Sequence, residues 1–188
     1  MNLDYPTSGC NPQAISSQLA RVALAPFTAA DLHAAGELAR GALQGELAGG
    51  EAFRAVQAIS GCAAYAFHED GRLTGALAII PLRMAALPSL RDDSFDSLDP
   101  DLGLVARPGE PLAAVYAWGI VGGTRRARAA VLAGLARLQR KLGVPFFCRA
   151  ATDDGQRVIL GRLGYRPQPG SASGLFVFEP TPDMRRAA

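Results

Sequence analysis

The sequence has little with which to cross-link, to hold a metal or to attract a polyanion. Only three of its 188 residues are cysteine, Cys10, Cys62 and Cys148. Their odd number, wide spacing and lack of metal-ligand pattern argue against a disulfide framework and against a zinc site. The expectation is two small buried residues and one thiol on a loose terminus. A formal net charge of +2 does not by itself recommend nucleic acid or a membrane surface, so any electrostatic preference must come from local clustering. No basic stretch leads into an apolar one at the start, and no secretory signal is expected. The strongest apolar run, residues 73–82, contains Gly75 and Pro81 and falls short of the ~20 residues of a membrane span. No membrane partner and a cytoplasmic setting follow as expectations. What the chain does have is an apolar fraction of 49%, enough for one domain with a sizeable core.

Residues 1–18 are polar, rich in turn-formers and without periodicity, which predicts a flexible arm ahead of a domain over 19–180, with 181–188 as a tail. Residues 20–26 alternate and suggest a first strand. Thr28 and Asp31 have the spacing of a capping box. Behind them Leu32, Ala35, Ala39 and Leu43 recur at helical spacing, predicting a helix to about Gly45. A shorter helix over 51–60 carries Phe53, Val56 and Ile59 on one side. Strand-like runs at 62–67 and 73–80 flank Asp70-Gly71, a pair that tolerates the positive φ of a type I′ hairpin turn. Residues 81–111 are irregular and crowded with proline, serine and aspartate. Long excursions of this kind in small domains are often functional.

Regularity returns at residues 113–121 (AAVYAWGIV), a strand that suits the centre of a sheet. Gly122 and Gly123 turn the chain into a long helix that ends at Gly143. Ala127, Val131, Leu135, Leu138 and Leu142 form its apolar stripe, with Arg126, Arg137, Arg140 and Lys141 on the other side. A strand over 144–150, a helix capped at Thr152 and a last strand over 175–179 complete the order. The fold class is α/β (α+β), a central mixed sheet flanked by helices in a single domain.

One segment offers chemistry. The first amides of a helix lack internal partners, and the helix dipole adds partial positive charge there. Arg125, Arg126 and Arg128 stand at that end of the long helix, so a phosphate-bearing ligand fits. No Gly-Lys-Ser/Thr follows, which excludes a Walker loop.

At this point the chain resembles the GNAT superfamily of acyl-coenzyme A-dependent N-acyltransferases, over most of residues 21–179. Residues 21–38 (RVALAPFTAADLHAAGEL) look like the family's opening strand and capped helix, and 67–77 like its second hairpin. Arg125-Arg126-Ala127-Arg128-Ala129-Ala130 stands where the family carries its pyrophosphate signature, Arg/Gln-x-x-Gly-x-Gly/Ala. Leu163-Gly164-Tyr165 matches the ending of its second cofactor segment. The resemblance implies that Ile120 and Val121 offer backbone groups to the pantetheine arm. It implies too that the amides of Arg126 to Ala130 cradle the pyrophosphate with Arg125 at the first position, and that Asp153 lies near the pantetheine. The co-substrate would be acetyl-CoA or another acyl-CoA and the acceptor an unidentified amine. A homodimer stays open.

The departures bear on catalysis. The central glycine of the signature is Arg128, and Leu160 stands where many members have a tyrosine that protonates the leaving thiolate. No carboxylate lies in the central strand, which leaves Glu110, just before it, as the candidate base. His68 and Glu69 belong to a hairpin tip, Cys148 to the core, Tyr116 and Trp118 to the core or a pocket wall, and residues 92–96 to a solvated loop. The first expectation is an N-acyltransferase. The second is a degenerate relative that binds acyl-CoA as a sensor or scaffold. A nucleic-acid or protein-binding domain using the basic helix face ranks last.

Overall fold

The chain enters the fold earlier than the sequence reading predicts. In the computed structural model, which describes residues 9–42 and 47–186, helix α1 (Pro12–Ala20) occupies part of the expected flexible arm. Asn11 accepts from the Ala14 amide at 2.9 Å and Pro12 presets the first turn. Ile15 and Leu19, four residues apart, are fully buried. The packing partner is a glycine: a Cβ at Gly134 would come within 2.5 Å of Leu24 Cδ1 and 3.0 Å of Leu19 Cδ2. Cys10, expected on a loose terminus, is buried as well, and its amide donates to the Glu110 carbonyl at 2.7 Å. The arm therefore does not hold from Gly9 onward. Leu19→Ala is expected to cost about 2 to 4 kcal/mol, the usual range for emptying a leucine site. An unmoved urea midpoint would place α1 outside the cooperative unit.

The expected first strand shortens to β1 (Ala25–Pro26), because α1 runs to Ala20 and a tight turn follows, with Ala23 at φ 60. Next come α2 (Ala29–Ala42) and α3 (Gly50–Ser60); the predicted helix end near Gly45 lies outside the described residues. The capping box is half formed, with the Thr28 amide and hydroxyl both donating to Asp31 Oδ2 at 2.8 Å. The hairpin pairs β2 (Ala64–Glu69) with β3 (Arg72–Leu82) around Asp70 at φ 51 and Gly71 at φ 75, the positive angles a type I′ turn needs.

After the short helix α4 (Leu87–Arg91) the chain forms β4 (Ala114–Gly122), α5 (Arg125–Leu142) and β5 (Phe146–Arg149). It then forms α6 (Asp153–Arg162), β6 (Arg166–Pro167), β7 (Leu175–Phe178) and α7 (Pro182–Arg186). The seven strands make one mixed sheet in the order β1-β2-β3-β4-β5-β7-β6. Every neighbouring pair is antiparallel except β4 with β5. One face packs α1, α5 and α6 through Leu19, Leu77, Val131, Leu135 and Ile159. The other packs α3 and α4 through Val56, Ile80, Leu90 and Tyr116. The excursion belongs to this second face: Leu87, Leu90 and Phe95 are buried, so most of it covers the sheet and does not stand off as a loop. Residues 182–186, expected as tail, form α7, which lies against α5. Among the described residues no helix is long and apolar enough to cross a membrane.

Candidate functional site

A parallel strand pair that stays paired leaves no room for a ligand between its members. Here β4 and β5 pair only at Val115–Phe146 and Tyr116–Phe147. Beyond them β4 continues to Gly122, and no described strand meets its β5-facing edge. The departure coincides with a β-bulge. Ala78 pairs with Gly119 and Ile79 with Ala117, so Trp118 is an extra residue in β4, and such a residue bends its strand away from the local register. Trp118, Gly119 and Ile120 are half-buried as a result.

At the end of that free edge stands the start of α5. Thr124 caps it, its Oγ1 accepting from the Ala127 amide at 3.0 Å while its carbonyl accepts from the Arg128 amide at 3.0 Å. The amides of Arg125 and Arg126 meet no acceptor among the described residues. Of the expected cradle of Arg126 to Ala130, the Arg126 amide is thus left for an anion, joined by that of Arg125 just before it, while the Ala127 and Arg128 amides are taken by Thr124. Ala127, moreover, is buried in the core.

The three arginines divide. Arg126 folds back over the Phe67 ring, 5.9 Å from its centroid. It also faces Glu69, whose carboxylate accepts from Thr124 at 2.6 Å and Thr74 at 2.8 Å. Those two hydrogen bonds, and then Arg126, hold the Glu69 carboxyl below its usual range. Arg125 and Arg128 are exposed and without an ion-pair partner among the described residues. They are the cations available to a ligand.

On the face opposite α5, a cavity of about 540 Å³ opens where the two strands part. Phe95, Asp96, Tyr116, Trp118, Arg149 and Ala150 are among its lining residues. Its wall is held by a polar network that sequence reasoning missed. Asp93, 9% exposed at its side chain, pairs with Arg149 at 2.9 Å. It also accepts from the Ser171 hydroxyl and from the amide and hydroxyl of Ser173. Arg149 donates further to Ser173 Oγ, the Phe95 carbonyl and, at 3.4 Å, the Tyr116 hydroxyl. The excursion is thereby tied to β5 and to the loop before β7. No local pattern signals this, because the partners lie 56 and 80 residues from Asp93. The aspartate's φ of 65 is a conformation that Asp tolerates better than most residues.

Topology sorts the remaining predicted residues. Parallel β4 and β5 run into α5 and α6 at one end of the sheet, which brings Ile120, Val121, Arg125 to Ala130 and Asp153 to that end. Asp153 is exposed in the first turn of α6. Glu110 is not brought there. It precedes β4, at the opposite end, and its carboxylate closes a turn on the Arg107 amide at 3.0 Å. Leu160 is exposed on α6. Burial pushes the Cys148 thiol up to about 12, so it stays a neutral core thiol at pH 7. His68 bonds Asp31 at 2.8 Å and braces the start of α2. Comparison of the chain with protein-family models, with curated proteins and with solved structures finds no significant match.

Proposed function

We propose that this chain is an acyl-coenzyme A-dependent N-acyltransferase of GNAT type, binding its co-substrate along the free edge of β4. The observation that carries the reading is that β4 leaves β5 after two residue pairs and leads directly into the α5 terminus. Unpaired backbone groups of Trp118 to Val121 suit the amides of a pantetheine arm. The Arg125 and Arg126 amides and the Arg125 and Arg128 guanidinium groups suit a diphosphate. The sheet order, with its single parallel pair, accords with the same reading. In the transfer the amine nitrogen bonds to the acyl carbon as the carbon–sulfur bond breaks, and the proton lost by nitrogen balances the departing thiolate. Positioning supplies much of such a rate. A specific observation favours a second reading, binding without turnover: no carboxylate lies along the edge, and Glu110 is at the far end of the sheet.

Calorimetry and thermal shift with coenzyme A and acetyl-coenzyme A test the proposal, since a ligand specific to the folded state raises its apparent stability. Arg128→Gly is expected to weaken binding by about 1 to 3 kcal/mol, one charge-assisted contact, and to reduce its salt dependence. A pantetheine fragment should lose less. Tighter binding in the variant would mean that the arginine plugs the groove, and silence with every thioester up to millimolar levels would sink the proposal. Thiol release on adding amines separates the enzyme from the non-catalytic binder.

A further inference from the structure

We infer that the cavity beside Trp118 takes a small primary amine carrying an aromatic ring. Its volume of about 540 Å³ lies within the range of small-molecule sites, roughly 300 to 1,000 Å³. Three rings line it, and they are held rigidly. Phe53 stacks on Trp118 with centroids 4.1 Å apart and planes 9° from parallel. The indole N–H donates to the Ser97 carbonyl at 2.6 Å. Phe95 tilts against Tyr116 at 5.2 Å. Rings fixed before binding supply apolar contact with little ordering cost.

The sign of the ligand's charge follows from which lining groups are already committed. Arg149 is paired with Asp93, and its other N–H groups meet Ser173, Phe95 and Tyr116. It therefore has little left for an anion. Asp96 differs. Its Oδ1 accepts from the amides of Leu98 and Asp99 at 2.8 and 3.2 Å, while Oδ2 has no partner among the described residues. The chain between Arg91 and Arg107 carries five aspartates and no cation, so the surrounding field also favours a positive guest. An ammonium at the exposed Asp96 with its ring against the half-buried Trp118 satisfies both the charge and the wall, to which Phe95 and Tyr116, 4% and 3% exposed, add little surface. Only the ligand's role as acyl acceptor rests on the acyltransferase reading; its binding does not.

Trp118 is the sole tryptophan of the sequence, so intrinsic emission reports on this cavity directly. Titration with 2-phenylethylamine should give a saturable change. Butylamine, which lacks the ring, and 3-phenylpropionate, which reverses the charge, should each bind at least about tenfold more weakly. Asp96→Asn keeps an oxygen for the Leu98 and Asp99 amides and so preserves the turn. It should weaken 2-phenylethylamine about tenfold or more without moving the thermal midpoint. No saturable response, equal or tighter binding of the carboxylate, or an Asp96→Asn variant of unchanged affinity would each overturn the inference. Coenzyme A titrations on the same samples keep the two proposals apart. Amine binding without coenzyme A binding removes only the acyltransferase, and the reverse removes only the amine site.

Discussion

Asp93→Ala is expected to lower the stability of the fold by about 2 to 3 kcal/mol and to loosen the cavity wall with it. The carboxylate accepts from Arg149, from the Ser171 hydroxyl and from both the amide and hydroxyl of Ser173. Removing it strands a guanidinium in a partly buried place, which for fully buried pairs costs about 3 to 5 kcal/mol. Arg149 is 25% exposed, and water offsets part of that cost. Asp93→Asn tolerates the same positive φ but turns a donor toward groups that already donate, so an intermediate loss is expected. The pH dependence has a definite sign. Burial acts to raise the Asp93 carboxyl, yet the hydrogen bonds from Ser173, Ser171 and Arg149 outweigh it and hold the group far below the ordinary carboxylate range. A carboxyl depressed in the folded state stabilises fully above the unfolded value, near pH 4. That stabilisation is lost as pH falls through the folded value. Urea midpoints of wild type and Asp93→Ala should therefore differ by a constant amount above about pH 5, draw together progressively below about pH 4, and meet only as the pH falls through the folded value. A gap that persists in strong acid would show that the ionised carboxylate is not what holds the wall.

Local chemistry made much of this architecture legible. The Asp70-Gly71 turn and the Gly143 stop of α5 each follow from residues within a few positions of one another. The structure reproduces them. Helix α1 left only a weak trace, Asn11-Pro12 as a helix start and Ile15 and Leu19 on one face. The polar residues between them masked it. The two-residue strand β6 had no such signal, because its pairing with β7 depends on the connection over residues 168–174, which brings Arg166 opposite Val177. The same contrast governs the candidate site. Its anion-facing end could be read from consecutive arginines after a glycine turn. The Asp93–Arg149 link and the bulge at Trp118 depend on register and on contacts across the chain. Composition and periodicity carry neither.

The contact that makes the α5 terminus possible is the most exacting of all, and Gly122→Ala is expected to destroy it. A Cβ at Gly122 would lie 2.6 Å from the Arg128 amide nitrogen, 2.9 Å from its Cα and 2.8 Å from its Cγ. The requirement is for space alone, as Gly122 has no positive φ. Backbone cannot rotate aside as a side chain does, so the first turn of α5 must move away from β4. That movement strains the Thr124 cap, whose two acceptors hold the Ala127 and Arg128 amides. A loss near the upper end of the usual ~1 to 3 kcal/mol for overpacking is expected, visible as a lower thermal midpoint. On the acyltransferase reading the Arg125 and Arg126 amides move with the turn. Coenzyme A should then bind more weakly to Gly122→Ala than to Arg128→Gly, while the pantetheine fragment loses less. The double variant Gly122→Ala with Arg128→Gly separates backbone from side chain. It removes the Cγ contact but leaves the nitrogen and Cα in place, so no recovery of stability or affinity is expected. Recovery to the level of Arg128→Gly would show that only the arginine stem was in the way, and that the strand and helix backbones are not locked together at this point.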